Sequence, residues 1–301
     1  MPPETNNSST RGDTMNTPTN KIFAVISDVH GNYKALETLL NYCKLRHIDG
    51  IIGLGDYVTD SPYPERTITL LKQIQAQYPC YMVRGNRENY MINNARNDQG
   101  WKPSSQSGCL HYTAMHLSEK DIAFLEGMPE EMTVDIDGLP RLYICHGVPG
   151  NVRGNVDLNP DLKALTLQAL SNDYLLGGHS HKQEMYVWNQ KSYLNPGSLG
   201  LALDGIGGHI HFALIHGNPN EYRWETELIS IPYDAASFLK DFSESGLDEI
   251  GFVLNRAVKK TITTGINYVF KCVLMAEQAT GLPLHLVSED VWEEIALKLK
   301  L

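Results

Sequence analysis

The stretch IFAVISDVHGN, from Ile22 to Asn32, holds the strongest structural signal in the chain. Its first five residues are apolar and include β-branched isoleucine and valine, which is typical of a buried strand. Asp28 and His30 follow this strand directly, and both are residue types that bind metal ions. Leucines recur at helical spacing beyond Asn32. The stretch therefore predicts a strand, a turn that carries functional side chains, and a helix.

The same order of strand and helix continues along the first part of the chain. Ile51–Leu54 predicts a second strand that ends before Asp56, and Tyr81–Val83 predicts a third that ends before Asn86. Between them, Pro64–Ala76 has apolar residues at the spacing of a helix with one buried face. Strands that alternate with helices are typical of an α/β fold with a parallel sheet.

Strands dominate the middle of the chain and helices its end, after a long polar stretch that follows Asn86. The expected strands are Thr133–Ile136, Leu142–Cys145, Tyr174–Leu176, Met185–Trp188, Ser192–Leu194, His209–Ile215 and Tyr222–Ile229, and the expected helices His111–Leu117, Glu119–Glu126 and Asp161–Leu170. From Asp234 the pattern is helical, with apolar stripes at Ile266–Leu274 and Trp292–Leu299. Residues 1–20 are polar and predict a disordered tail, residues 21–232 an α/β domain, and residues 233–301 a helical extension.

Composition limits the classes of function. The 301 residues carry 25 basic and 35 acidic side chains, a net charge of −10, which argues against binding to long nucleic acid or to an anionic membrane. The five cysteines are scattered and form no CxxC pair, as in a reduced cytoplasmic protein. The start lacks a signal peptide's basic residues and apolar core, and no apolar run reaches the roughly 20 residues of a membrane span. A cytoplasmic location is therefore expected.

Candidate metal ligands follow the predicted strands one after another. In open α/β sheets, binding sites form where strands end at the carboxyl edge, so these residues are expected to converge. They are Asp28, His30, Asp56, Asn86, His146, His179 and His181. The set offers oxygen and imidazole nitrogen without thiolate, which suits manganese, iron, zinc, cobalt or nickel better than calcium. Seven ligands are too many for one such ion and indicate two.

The order of these residues resembles the calcineurin-like metallophosphoesterases, in particular their bacterial phosphodiesterase branch. The resemblance covers about residues 21–230 and rests on short blocks in the family's order. These blocks are Asp28-Val29-His30, Gly55-Asp56, Gly85-Asn86-Arg87-Glu88, His146-Gly147, Gly178-His179-Ser180-His181 and Asn195-Pro196-Gly197-Ser198. One D-x-H pair alone is weak evidence, whereas the whole series is specific.

The resemblance implies an α/β sandwich, in which two mixed β-sheets pack face to face with helices outside. It also implies two divalent transition-metal ions, with manganese expected first. One ion would be held by Asp28, His30 and His181, the other by Asn86, His146 and His179, and Asp56 would bridge them. Such a pair can activate a bridging hydroxide and stabilise the attacking and leaving oxygens. The implied reaction is hydrolysis of a phosphoester.

Arg87 departs from the family pattern, which usually has a histidine there that donates a proton to the leaving group. Arginine stays protonated, so it can bind phosphate oxygens in pairs but is a poor proton donor. Diesters, anhydrides and aryl esters are therefore expected to be better substrates than alkyl monoesters. The expected catalytic residues are Asp56, Arg87 and His146, and the expected substrate contacts are Asn86, Arg87 and Arg84.

Two other functions fit parts of the sequence. The pieces Gly55-Asp56-Tyr57-Val58 and Arg84-Gly85-Asn86 resemble serine/threonine protein phosphatase motifs. The phosphate-binding arginine of that family, however, falls at Asp60 here. A non-catalytic scaffold of the same fold, as in one retromer subunit, is the other alternative, but all seven ligands are present. The first expectation remains a phosphodiesterase or a nucleotide-directed phosphoesterase.

The sequence says less about the walls of the pocket and about binding partners than about the metal ligands. Loops such as Asn93–Ser107 and Gly150–Asp157 are expected to line the pocket, and the substrate to be a small phosphate compound, with nucleotides among the candidates. The C-terminal stripes are expected to pack in the core or as a cap. A homodimer interface and a lid that shapes substrate choice are the alternatives for them.

Overall fold

The computed structural model describes residues 19–156 and 159–301, so the tail predicted over residues 1–20 lies almost wholly outside the described part. The strands are β1 (Lys21–Ile26), β2 (Gly50–Gly53), β3 (Cys80–Met82), β4 (Glu131–Val134), β5 (Leu142–Cys145), β6 (Tyr174–Leu176), β7 (Gln183–Trp188), β8 (Lys191–Pro196), β9 (His209–Asn218) and β10 (Arg223–Pro232). The helices are α1 (Tyr33–Arg46), α2 (Pro64–Gln77), α3 (Asn86–Arg96), α4 (Gly108–His116), α5 (Glu119–Glu126), α6 (Pro160–Ala169), α7 (Ala235–Glu244), α8 (Asp248–Thr264), α9 (Tyr268–Thr280) and α10 (Glu289–Leu299).

The first sheet has the strand order β10-β9-β1-β2-β3. β1 pairs with β2 in parallel, with Ala24 opposite Ile51, and β2 pairs with β3 in parallel, with Ile52 opposite Tyr81. β9 runs antiparallel to both β1 and β10. Because α1 and α2 cross over between the parallel strands, the carboxyl ends of β1, β2 and β3 lie at one edge of the sheet.

The second sheet has the order β4-β5-β6-β8-β7, with parallel strands at its centre and an antiparallel strand at each edge. Phe23 and Val25 of β1 share a buried cluster with Ile144 of β5, whereas Ala24 and Ile26 pack against helices. Successive side chains of a strand point to opposite faces, so one strand serves both layers. Two mixed sheets packed face to face, with helices outside, confirm the predicted fold.

Helix α3 departs from the expectation of a polar stretch and a loop over Asn93–Ser107. The helix buries only three residues, so its apolar pattern is weak. Its first turn is instead fixed by Glu88, whose buried carboxylate accepts a hydrogen bond from the backbone N–H of Gly85 at 2.8 Å. The loop therefore begins only after Arg96. The buried polar contact that holds the helix start has no signature in hydrophobic periodicity.

Four helices, α7 to α10, follow β10, and the predicted boundary after residue 232 coincides with the end of that strand. Phe238 and Phe242 of α7 are fully buried in a cluster with Tyr33 and Tyr112, so α7 shares a core with the α/β layers. Trp292 of α10 anchors a further cluster with residues of α8 and α9. Full burial of such a side chain stabilises the fold by about 1.5–3 kcal/mol. The division into domains stays a prediction.

The two apolar stripes of the C-terminal helices behave differently. The stripe on α10 packs in the core as predicted, since Trp292 and Ile295 are buried. On α9 the buried residues are Cys272 and Ala276, whereas Phe270 is 60% exposed. Val269, Phe270 and Val273 of this stripe line the cleft that also contains His179 and His181, and the lid stays an expectation. Within the described ranges, no helix combines the length and the hydropathy that a membrane span needs.

Candidate metal centre

The seven predicted ligands lie beyond the carboxyl ends of strands, six of them in loops and Asn86 at the start of α3. Asp28 and His30 follow β1, Asp56 follows β2, Asn86 follows β3, His146 follows β5, and His179 and His181 follow β6. The loops of the two sheets meet across the sandwich, where the backbone N–H of His179 donates a hydrogen bond to Oδ2 of Asp28 at 3.0 Å. The fold therefore brings residues that are far apart in sequence to one edge of the sandwich.

Six of the seven residues form two adjoining groups of three. The groups are Asp28, His30 and His181, and Asp56, His146 and His179, and in each the candidate ligand atoms lie within 4.8 Å of one another. Nε2 of His146 joins the groups, at 3.3 Å from Oδ2 of Asp56 and 4.0 Å from Oδ1 of Asp28. Asn86 lines the same cleft. Asp56 belongs to the second group, and the bridge that it is expected to form stays a prediction.

Three histidines of these groups each bind an oxygen through Nδ1, which leaves Nε2 directed towards the groups. Nδ1 of His30 contacts Oδ2 of Asp60 at 2.9 Å, Nδ1 of His146 the carbonyl of Leu54 at 2.7 Å, and Nδ1 of His181 the carbonyl of Leu201 at 3.1 Å. Because these oxygens accept hydrogen bonds, the ring proton belongs on Nδ1 and Nε2 is the nitrogen available to a metal. The Nε2 atoms of His30 and His181 accordingly lie only 3.1 Å apart.

Buried polar atoms without a hydrogen bond point to the same centre. In the described part of the chain, Oδ1 of Asp28, Oδ1 of Asn86 and Nε2 of His146 are buried and have no such partner. Leaving one buried polar atom unsatisfied costs about 1–3 kcal/mol, and a charged one costs more. Two cations, one at each ligand group, would satisfy these atoms. The residues present therefore fit divalent metal ions bound by oxygen and nitrogen.

In the metal-free protein, neighbouring carboxylates raise the pKa of two histidines of the centre. Burial lowers the pKa of His30, but contacts with the carboxylates of Asp28 and Asp60 outweigh it and raise the pKa to about 9. Burial likewise lowers the pKa of His146, and Asp56 raises it to about 10. Each of these imidazoles thus shares its proton-binding site with a neighbouring carboxylate, and a metal ion that binds there has to displace the ring proton.

The backbone of the ligand loops is strained. Five of the ligands have positive φ, with 53° at Asp28, 48° at His30, 54° at Asp56, 66° at His179 and 61° at His181. This left-handed conformation costs a residue with a side chain roughly 1–2 kcal/mol. Hydrogen bonds between the loops hold it, such as that from the N–H of His30 to the carbonyl of Asp56 at 2.9 Å. Strain of this kind concentrates at functional sites.

Two glycines let these loops approach each other closely. A Cβ atom on Gly85 would lie 2.2 Å from Oδ1 of Asp56, and one on Gly178 would lie 1.9 Å from Oγ of Ser27 and 2.9 Å from Oδ2 of Asp28. Both distances are far below van der Waals contact. The glycines of the G-N and G-H blocks are therefore required by the packing of the ligand loops.

Glu88 fixes two ligand loops relative to each other. Its side chain is fully buried, and it accepts backbone N–H groups of Asp56, Tyr57 and Gly85, each at 2.8 Å. The carboxylate thereby ties the loop after β2 to the start of α3, where Asn86 and Arg87 lie. Glu88 acts through the backbone, at a distance from the cleft, and was not among the expected site residues.

Arg87 lies at the rim of the centre, with its guanidinium 3.3 Å from Oδ2 of Asp60 and 3.9 Å from Oδ2 of Asp56. Its side chain lines the cleft together with Asn86 and His179. Asp60 thus contacts both a candidate ligand, His30, and the arginine. In the sequence, Asp60 stands out only as the position where another family has arginine. Its contacts with His30 and Arg87 join distant motifs, so no local sequence pattern predicts them.

Arg84 lies apart from the other predicted site residues. Its guanidinium donates to the carbonyls of Glu126 and Met128, at 3.1 and 2.6 Å, and to the side chain of Asn89 at 2.9 Å. These contacts attach the end of α5 to α3. Arg84 is not among the residues that line the cleft. The structure therefore does not bring it together with Asn86 and Arg87.

Comparison with known proteins supports the family and the fold. The model of the calcineurin-like phosphoesterase superfamily domain matches residues 22–218. An uncharacterized protein of Methanocaldococcus jannaschii is 25% identical over 243 residues, which are 76% of this chain and 94% of that protein. A metallophosphoesterase from Sphaerobacter thermophilus has 22% identity and a TM-score of 0.65, over 82% of this chain and 100% of that one. A hypothetical protein from Pyrococcus horikoshii has 18% identity and a TM-score of 0.68, over 81% and 98%.

Proposed function

The chain belongs to the calcineurin-like phosphoesterase superfamily, and on that premise we propose that it is a phosphodiesterase or nucleotide-directed phosphoesterase with two bound transition-metal ions. The observation that carries the proposal is the pair of adjoining ligand groups, with an orphaned buried atom on Asp28, on Asn86 and on His146. Manganese is the proposed metal, since carboxylate, amide and imidazole donors suit it.

The residues of the chain have separate tasks in this reaction. When bound, the ions would activate water and neutralise charge on the phosphoryl oxygens. Asp28, His30 and His181 would hold one ion, and Asn86, His146 and His179 the other, with Asp56 shared. Arg87, on the cleft side of the centre, can bind the equatorial oxygens of the substrate by charge-assisted hydrogen bonds. The Nδ1 contacts described above keep the imidazoles in the required orientation.

The nature of Arg87 favours substrates whose leaving group departs as a stable anion. A guanidinium keeps its proton at any pH at which proteins are folded, so it stabilises charge without transferring a proton. Asp60 and Asp56 lie beside it and strengthen this preference for the charged form. Diesters with aryl groups and phosphoanhydrides therefore suit the site better than alkyl monoesters.

The proposal is tested by metal analysis and by hydrolysis of bis(p-nitrophenyl) phosphate with added manganese. Asp56→Asn and His146→Ala are expected to bind less metal and to lose at least about 100-fold in kcat/KM, because each removes a ligand. His216→Ala is the matched control, since this histidine lies on β9 and its Nε2 contacts the exposed carboxylate of Glu227 at 3.4 Å. Equal activity of the wild type and both ligand variants would contradict the proposed mechanism.

A further inference from the structure

The cleft extends well beyond the ligand groups. Next to Asn86, Arg87 and His179 it opens into a cavity of about 630 Å³ that reaches Trp101 and Arg153. Cavities of roughly 300–1,000 Å³ are typical of sites for whole small molecules, and a single phosphoryl group would fill only a small part. The substrate therefore has a sizeable portion beyond the phosphorus at which water attacks.

Two arginines flank one aromatic ring at the junction between the centre and this cavity. The guanidinium carbon of Arg87 lies 5.8 Å from the ring centroid of Tyr90, and that of Arg153 lies 4.9 Å from it. Arg87 lines both this cavity and the cleft at the ligand groups, whereas Arg153 lines the cavity. Two cations placed in this way can bind successive phosphates of a chain.

Arg153 differs from Arg87 in its surroundings. Arg87 contacts the carboxylates of Asp60 and Asp56, whereas Arg153 has no carboxylate partner among residues 19–156 and 159–301. Its backbone N–H donates to the side chain of Asn151 at 2.9 Å, which fixes the turn that carries it. An arginine that lines a cavity without an acidic partner is available for a bound anion.

Part of the cavity wall is apolar and aromatic. Trp101 and Leu254 of α8 line the cavity, and Val269 and Val273 of α9 line both the cavity and the cleft at the ligand groups. A flat ring system stacks on an aromatic side chain with about 1–3 kcal/mol of stabilisation and fills an apolar slot of this kind. The stripe on α9 that faces the cleft thereby gains a role as one wall of a binding site for a base.

We propose that the cavity between Arg153 and Trp101 binds the nucleoside and the inner phosphates of a nucleoside polyphosphate, whose terminal phosphate lies at the metal centre. This inference rests on the proposed function and specifies its substrate class. Water adds to the terminal phosphorus, the bond from that phosphorus to the bridging oxygen breaks, and the oxygen leaves with the shortened nucleotide. Inorganic phosphate and one proton are the other products. The leaving oxygen is a phosphate anion, which Arg87 and Arg153 can stabilise without a proton donor.

The test uses the manganese-loaded full chain with ATP, tripolyphosphate and bis(p-nitrophenyl) phosphate. Arg153→Met removes the charge and keeps an unbranched side chain against Tyr90. The ratio of kcat/KM for ATP to that for the diester is expected to fall about 10- to 100-fold, as for loss of a charged hydrogen bond. Arg141→Met is the control, because Arg141 is exposed and paired with Asp135 at 2.9 Å. It is expected to keep the wild-type ratio.

Calorimetric binding of the non-hydrolysable analogue AMP-PNP gives a readout that does not depend on turnover. Arg153→Met is expected to weaken this binding by the same factor. An unchanged ratio together with unchanged AMP-PNP binding overturns the inference, and equal kcat/KM for tripolyphosphate and ATP overturns its nucleoside part. If the wild type cleaves none of the three compounds, the proposed function fails, and the analogue still decides whether the cavity binds nucleotides.

Discussion

Oδ2 of Asp60 lies 2.9 Å from Nδ1 of His30, so an acidic residue outside the ligand groups orients one of the candidate ligands. The same oxygen lies 3.3 Å from the guanidinium of Arg87. Asp60 therefore couples the position of a metal ligand to that of the arginine proposed to bind substrate. Loss of its charge should disturb both.

Asp60→Asn is expected to weaken manganese binding about 10- to 100-fold, the usual effect of removing a carboxylate behind a ligating histidine. The variant should also raise KM, because Arg87 loses the partner that positions it. Titration calorimetry with manganese and steady-state kinetics check the two effects. Asp135→Asn, at an exposed ion pair with Arg141, is the control. If Asp60→Asn binds manganese with wild-type affinity, Asp60 does not orient His30 for metal binding.

Arg87→His is expected to shift the substrate preference of the enzyme. A histidine can donate a proton to an alkoxide leaving group, and such general acid catalysis contributes roughly 100- to 10,000-fold. The ratio of kcat for β-glycerophosphate to kcat for bis(p-nitrophenyl) phosphate should therefore rise at least about tenfold. Arg87→Lys keeps the charge and separates its loss from the gain of a donor. A ratio that stays constant in Arg87→His contradicts the assigned role of this position.

Manganese affinity is expected to rise with pH. The pKa values of His30 and His146, about 9 and about 10 in the metal-free protein, lie above the ordinary value of 6.5, so both rings carry a second proton at pH 7. Metal binding must release these protons, and each contributes up to about a tenfold gain in affinity per pH unit below its pKa. Calorimetry between pH 6.5 and 8.5 checks this, with proton release followed in weak buffer. An affinity independent of pH speaks against protonated imidazoles in the centre.

Gly178→Ala is expected to destabilise the fold by about 1–3 kcal/mol, as overpacking generally does, and to reduce metal binding. The reason is the close approach of its Cα to Ser27 and Asp28, where a Cβ would overlap with side-chain atoms. Gly127→Ala is the matched control, because a Cβ there would meet nothing closer than 3.5 Å. Denaturant unfolding gives the free energy of unfolding of both variants. Equal values for Gly178→Ala and Gly127→Ala would contradict the tight packing of the ligand loops.

Arg84→Met is expected to act on stability and to have little effect on KM. The guanidinium donates to backbone carbonyls at the end of α5, and loss of these charged hydrogen bonds costs about 1–2 kcal/mol for a partly exposed group. Thermal unfolding and kinetics with bis(p-nitrophenyl) phosphate separate the two effects. If Arg84→Met raises KM and leaves the stability unchanged, Arg84 binds substrate after all.

The sequence permits prediction of those parts of the structure that leave a short local pattern. The strand before Asp28 and helix α6 both have such patterns, and the candidate ligand set follows from polar residues placed directly after strands. The motif order adds the mixed-sheet sandwich. Helix α3 has almost no apolar periodicity, because a buried carboxylate fixes its start, and so it is missed.

The contacts of the site that could not be predicted join segments far apart in the chain. Asp60 acts on His30 and Arg87 through side chains whose separation depends on three loops. Trp101 and Arg153 lie in the two segments that were expected to line the pocket, and both do so, but the loop composition does not predict that Arg153 lies beside Tyr90. The orientation of the stripe on α9 depends on which neighbours cover it, and periodicity identifies an apolar face without identifying its partner.

The two ligand groups draw on both layers of the sandwich. His181 comes from the second sheet to join Asp28 and His30 of the first, and Asp56 of the first sheet joins His146 and His179 of the second. A bound ion would therefore cross-link the two sheets. Under a pulling force that slides one sheet past the other, metal–ligand bonds would have to rupture before the apolar interface separates. The loaded protein should resist shear that the metal-free protein yields to.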